Sequence, residues 1–302
     1  MKAIGLVGCG NWGRHILRDL LSLGAAVHVA DTHPDARNQA LLGGASTTTD
    51  DLGRLPACDG YVVAVPIPDL APVCEALLPR GKPVFAEKTL ATSLQALRRL
   101  EDLGGQGLLF AMHKWRYHPG IRALRNLLDR GVLGEIQELH TLRQGWTPDF
   151  HGGDAFWTLA IHDLTIVEHL LDEVPQKIRS IHSVRDASGL AVGFTAVLGG
   201  SPSVVLSVHG RHWNKASSVS LHGTQGSAGL KDAYADHILW RDGTGEHREP
   251  IDTTFPLLLE LREFVGHLAG GAPPRCTLAE AGRMTRRLLA LREATEHSRE
   301  TP

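Results

Sequence analysis

The chain has little of several things, and each shortage excludes a class of protein. Its 302 residues hold only four cysteines, Cys9, Cys58, Cys74 and Cys276, with no C-x-x-C pair among them. That spacing excludes a disulfide framework and a thiolate metal site, and it predicts buried thiols in a reducing compartment. Neither sign of charge is in excess: 31 Lys and Arg face 33 Asp and Glu. A basic field for nucleic acid and an acidic tail are both excluded. No run approaches the ~20 apolar residues that a membrane span needs. After Lys2 comes a short apolar run, broken at once by glycines and Asn11, so no secretory signal is predicted and the cytoplasm is the expected location. Internal repeats and low-complexity tracts are also lacking.

What the chain has is periodicity. Short apolar runs, "AIGLV" (3–7), "AVHVA" (26–30), "YVVAVP" (61–66), "KPVFAEK" (82–88) and "GLLFAMHK" (107–114), alternate with helical patterns at 12–23, 69–79 and 92–103. Fully apolar strands between helices predict a parallel sheet covered on both faces. Beyond residue 118 the pattern changes. Pro119 opens a helix that Gly131 closes, and extended stretches follow at 134–145, 176–186, 190–198, 203–212, 216–223 and 236–241. Two amphipathic helices come last. Consecutive strands with few helices predict an antiparallel sheet in an α+β domain. The expected division is 1–117 for the α/β domain and 118–302 for the second.

The first strand runs into "GCGNWG", with Gly8, Gly10 and Gly13 in the G-x-G-x-x-G spacing and a helix after it. In that setting Gly8 permits the tight turn, Gly10 lets backbone approach a pyrophosphate, and Gly13 lets helix pack on strand. Free N–H groups at the helix start, around Asn11 and Trp12, favour the phosphate charge. Asp31 ends the second strand, eighteen residues beyond Gly13. A carboxylate there accepts bonds from ribose hydroxyls and repels a 2′-phosphate, which predicts NAD over NADP; His33 and Arg37 nearby soften that preference. The competing reading is a glycine-rich turn beside a surface aspartate. Further on, "VFAEKTLATS" sets Glu87 and Lys88 at the carboxyl end of a strand, the edge where open α/β sheets bind ligands. Lys88 serves either that site or an ordinary solvent loop.

With these motifs the sequence resembles the Gfo/Idh/MocA oxidoreductases. The resemblance rests on "GCGNWG", "AEKT" (86–89), "HKWRYHPGIRALRNLLDRGVLGEI" (113–136), "GGDAFWTLAIHDLTIVEHLL" (152–171), "LHGTQGSAGL" (221–230) and the helix "LLLELREFVGHLAGGAPP" (257–274). It implies an N-terminal Rossmann domain and a C-terminal α+β domain whose large, open, mostly antiparallel sheet builds homodimers or homotetramers. It implies coenzyme contacts from Gly8, Gly10, Asn11, Trp12, Gly13, Asp31, Val65, Pro66, Glu87 and Lys88. It matches Lys88 to the family's catalytic lysine and His162 to its catalytic histidine. Thr89 stands where the family has proline. A cis bond before threonine costs about 2.5–4 kcal/mol, against about 0.5–1 before proline, so a trans Lys88–Thr89 bond is expected. Thr158 stands where the family has an aspartate, one turn before His162.

The chemistry implied is reversible hydride transfer between nicotinamide and a secondary alcohol of a sugar, cyclitol or nucleotide sugar. Free imidazole titrates near 6.5 and free lysine near 10.4, so His162 is the expected acid–base group, with Lys88 holding the reacting oxygen. Without a carboxylate at 158, His162 is expected to be a weaker base, and Asp154 or Asp163 is a candidate substitute. His113, Arg116, Trp146, Asp154, Trp157, Thr158 and Asp163 are candidate substrate contacts. Trp146, Phe156 and Trp157 offer faces for a sugar, and Asp149 and His151 offer hydrogen bonds; the alternative is that the aromatics simply pack. No metal site is expected. Two other functions stay open: a coenzyme-binding sensor without turnover, and a reductase of imines or ketones in secondary metabolism.

Overall fold

The computed structural model describes residues 1–105 and 107–297. Packing divides the chain into two units, Met1–Lys114 with Phe255–Thr285, and Trp115–Thr254 with the segment from Arg286 onward.

In the first unit the apolar runs become strands because each buries both faces. β1 (Ala3–Val7), α1 (Asn11–Ser22), β2 (Ala26–Ala30), α2 (Pro34–Leu42), β3 (Thr47–Thr49), β4 (Gly60–Val63), α3 (Ile67–Leu77), β5 (Val84–Ala86), α4 (Leu94–Gly104) and β6 (Leu109–Ala111) follow in order. The six strands are all parallel, in the order β3-β2-β1-β4-β5-β6. The order reverses beside β1, and that switch point opens a crevice at the carboxyl edge. Gly24, at φ +78°, follows α1 and lets the chain turn into β2.

In the second unit come α5 (Pro119–Asp129), β7 (Ile136–Trp146), α6 (Ile161–Leu171), and then β8 (Ile178–Arg185), β9 (Ala191–Gly199), β10 (Ser203–His209), β11 (Arg211–Gly223), β12 (Gly226–Leu230), β13 (His237–Asp242) and β14 (Gly245–Pro250). They form one eight-stranded sheet, β14-β13-β12-β11-β7-β10-β9-β8, antiparallel except where β10 joins β7. Along β7 the side chains of Leu139, Thr141 and Arg143 are buried, and their neighbours Glu138, His140 and Leu142 are half-exposed. One face is thus covered, by α5 and α6 among others, and the other is open.

The helix α7 (Pro256–Leu268) belongs to the first unit, which corrects a single division at 117/118. Its apolar residues Leu257, Leu261 and Phe264 join Ile16, Leu17 and Leu20 of α1 in a core with Ile4, Leu6, Val62 and Phe85 of the sheet. Amphipathic spacing shows that a helix has a buried face, but not which sheet receives it. The last helix, α8 (Leu278–His297), is split between the units.

A second correction concerns the Lys88–Thr89 bond, which is cis and not trans. The expectation weighed the isolated dipeptide, whereas Thr89 is buried in the folded chain. Among the described residues no helix is long and apolar enough to cross a membrane, and no group of three or more His, Cys, Asp or Glu is placed to hold a metal ion.

Candidate active site

The glycine turn carries three different constraints. Gly8 adopts φ +86°, and a Cβ there would stand 2.4 Å from the carbonyl oxygen of Ala64. A Cβ on Gly13 would stand 2.3 Å from the carbonyl oxygen of Gly8, so only hydrogen fits between helix and strand. Around Gly10 a Cβ would meet nothing within 4 Å. Gly10 is therefore not needed for packing; its bareness keeps open the space in front of α1. No side chain caps the N-terminus of α1, and its first turn contains no acid. Uncapped N–H groups facing an open cradle are what a pyrophosphate requires. Val65 and Pro66 lie across the turn, at the end of β4, with Val65 Cγ1 3.0 Å from a Cβ on Gly8.

Asp31, at the end of β2, is held in place by two backbone donors. Its Oδ2 accepts from the Cys9 backbone N–H at 2.7 Å and its Oδ1 from the His33 N–H at 2.8 Å. The carboxylate thus braces the turn from the edge where a ribose would lie. Arg37 donates to the Asp31 carbonyl at 2.8 Å and not to its carboxylate. The residues present fit a dinucleotide with a free 2′-hydroxyl. Burial pushes the Cys9 and Cys58 thiols up to about 11 and the Cys74 thiol to about 12, which leaves them without thiolate chemistry at neutral pH.

Glu87 connects the turn to Lys88. Its Oε1 accepts from Trp12 Nε1 at 2.5 Å, and its Oε2 accepts from the Lys88 backbone N–H at 3.1 Å. The ammonium of Lys114 lies 4.6 Å from the centre of the Trp12 ring. Lys88 itself is half-buried at the carboxyl edge of β5.

Substituting Gly10 separates the two roles of the turn. Gly10→Val fills open space, so the thermal unfolding temperature stays at the wild-type value while NADH affinity, read by fluorescence titration, falls by about 100-fold or more. Gly13→Ala lowers the unfolding temperature as well, because its Cβ meets backbone.

The second unit holds His162 on α6. A π-helical turn, Phe156–Ala160, precedes that helix. Asp154 starts the turn: its Oδ1 accepts from the N–H groups of Phe156 at 3.0 Å and Trp157 at 3.2 Å, and its Oδ2 pairs with Arg292 at 3.1 Å. The Arg292 guanidinium also lies 5.3 Å from the centre of the Trp157 ring. Thr158 donates its hydroxyl to the Phe150 carbonyl at 2.8 Å, tying the turn to the loop before it. Asp163 is 1% exposed and makes a two-point bond to Arg143, Nε–Oδ2 at 2.7 Å and Nη2–Oδ1 at 3.2 Å. Burial pushes this carboxyl up and the guanidinium opposes the push. Arg143 is in turn stacked over Trp115, 4.6 Å from its ring centre.

The sequence-predicted residues thus fall into two sets. Gly8, Gly10, Asn11, Trp12, Gly13, Asp31, Val65, Pro66, Glu87 and Lys88 gather at one edge of the first unit's sheet, and buried His113 follows β6 in the same unit. Arg116, Trp146, Asp154, Trp157, Thr158, His162 and Asp163 belong to the second. Several of these have structural partners: Arg116 pairs with Glu168 at 3.7 Å, Asp154 with Arg292, and Asp163 with Arg143. Phe156 is fully buried and stacks on Phe194 at 4.3 Å, so it is core and no sugar platform. Trp146 is 69% exposed, with the Arg211 guanidinium 5.4 Å from its ring centre. The partners Arg143, Glu168 and Arg292 were not found from the sequence. Arg143 left one signal: it occupies an inward position in the period-two pattern of β7, where a charge requires a partner.

Comparison with known proteins agrees with both units. A model of an oxidoreductase family with an NAD-binding Rossmann fold matches residues 2–105, and a model of the Gfo/Idh/MocA C-terminal domain matches residues 121–229. Inositol 2-dehydrogenase 2 of Saccharopolyspora erythraea is 30% identical over 182 residues, in a match covering 56% of this chain and 54% of that protein. The match therefore spans about half the relative's length. A solved oxidoreductase from Agrobacterium radiobacter, in complex with NAD+, L-tartaric acid and magnesium, shares 16% identity at a TM-score of 0.86, covering 98% of this chain and 97% of that one. The WlbA dehydrogenase from Bordetella pertussis, in complex with NADH and UDP-GlcNAcA, shares 18% at 0.85, covering 98% and 96%. At such identities the two structures speak for the fold. With a family model on each unit, the chain belongs to the Gfo/Idh/MocA oxidoreductases and its first unit is an NAD-binding Rossmann fold.

Proposed function

We propose that the protein catalyses reversible hydride transfer between NAD(H) and the secondary alcohol or ketone of a cyclitol, a sugar or a nucleotide sugar. The observation that carries this reading is the Glu87 bridge, which ties Lys88 to Trp12 of the dinucleotide turn. The bond fixes the Lys88 backbone beside that turn, which supports a role for its side chain at a substrate next to the coenzyme. When bound, the nicotinamide accepts or donates the hydride.

The chain's own residues have three tasks. The glycine turn and the uncapped start of α1 bind the diphosphate, and Asp31 accepts from the ribose. The Lys88 ammonium donates to the reacting oxygen and stabilises the charge that develops there. His162 takes the hydroxyl proton in oxidation and returns it in reduction. Substrate contacts from the second unit fall to Trp146, which is exposed, with Asp149 and His151 exposed on the loop after it. Assembly through the open face of the eight-stranded sheet belongs to the same proposal.

A panel of cyclitols, sugars and nucleotide sugars offered with NAD+ tests the reading through absorbance of the reduced nicotinamide. Turnover of at least one member is expected, with Lys88→Ala abolishing it. Tight coenzyme binding without turnover of any member would favour a sensor instead, a reading that draws on the neutral Thr158 hydroxyl bonded to Phe150.

A further inference from the structure

One buried acid remains unused by this chemistry. On α7, Phe264 stacks on Phe85 of β5 at 5.1 Å, and Leu268 packs against Gly60 at the start of β4, where a Cβ would stand 2.7 Å from Leu268 Cδ2. The helix therefore runs against the strand direction. One turn before Phe264, Glu260 reaches the level of the carboxyl edge. Glu260 is 0% exposed, and neither carboxyl oxygen has a hydrogen-bond partner among the described residues. The charged groups that act on it come from two other elements of the same unit: Glu87 after β5 and Lys114 after β6. Glu87 is the group that holds Trp12 and Lys88, and Lys114 is the cation over Trp12. Leu257, Leu261 and Phe264 show that this helix face is otherwise apolar. A leucine would suit the position better on packing grounds alone, because a buried polar group without a partner is destabilising.

We propose that Glu260 is a positioning residue for the coenzyme site: its buried carboxyl supports Glu87 and so fixes the aim of Trp12 and Lys88. The inference rests on the reading that this turn binds the dinucleotide. Burial and the Glu87 charge hold the Glu260 carboxyl well above its ordinary value of 4.5, and Lys114 opposes them. In its neutral form Glu260 sets no second charge beside Glu87. Once ionised, it sets a second anion beside Glu87 and repels it. Coenzyme affinity should then fall as pH rises.

NADH fluorescence titrations from about pH 6 to about pH 9 test this on the wild type and E260Q. The wild-type dissociation constant should rise about threefold or more as Glu260 ionises, while E260Q, which cannot ionise, should change less than about twofold. E87Q and E260Q should combine non-additively, since one acts through the other. A wild-type slope retained in E260Q, or additive effects of E87Q and E260Q, would overturn the role of Glu260 and leave the coenzyme site standing. Failure of the wild type to bind NADH at any pH would instead overturn the coenzyme reading and this inference with it.

Discussion

His162→Asn should lower kcat by about 10²–10⁴-fold, the usual contribution of a positioned acid–base group, while NADH affinity stays within about twofold. Asparagine approximates the volume of the imidazole and keeps hydrogen-bonding atoms, but it cannot carry a proton between substrate and solvent. The coenzyme turn lies in the other unit of the chain, so the binding of NADH gives an internal control for folding. Steady-state kinetics, on whichever panel member the wild type turns over, provides the check. An unchanged kcat would remove His162 from the mechanism.

The second large effect is on stability. Arg143→Met should destabilise the second unit by about 3–5 kcal/mol, because it leaves the Asp163 carboxylate buried without its cation. The pair is closed on both sides: Asp163 is 1% exposed and Arg143 8%. Its two bonds join β7 to α6 at the residue after His162. Chemical denaturation followed by a probe in the second unit would measure the loss. The double variant Arg143→Met with Asp163→Leu should recover most of it, since an apolar pair removes both desolvation costs. If the single variant unfolds at the wild-type denaturant concentration, the pair contributes nothing and α6 is held by packing alone.

The parallel sheet was legible because buried parallel strands are apolar throughout, as in Tyr61–Val63 and Val84–Ala86. The coenzyme turn was legible because its parts are close in sequence: Gly8 to Gly13 is one loop, and Asp31 ends the next strand. Other features had no such signature. β3 is three threonines, too short and too polar to stand out. Gly226–Leu230 and Gly245–Pro250 are rich in glycine or charge, and they become strands only because β11 and β13 offer paired edges. α7 and α8 read alike as amphipathic helices, and only the contacts decide where each is placed. Asp154 and Asp163 looked available for substrate because their cations are distant in the sequence; Arg292 lies 138 residues beyond Asp154. A charge pair formed by tertiary structure leaves half of its evidence far away in the chain.

The wide turn at Phe156–Ala160 has a consequence for how this segment tolerates changes in length. A π turn holds one residue more than the α turn it replaces, the signature of a one-residue insertion. Deleting a single residue there would let the backbone relax into an unbroken α-helix, with α6 preserved downstream. Everything upstream would rotate by about 100° about the helix axis, the advance of one residue. Asp154 would swing away from Arg292, so the helix that carries His162 would lose that brace.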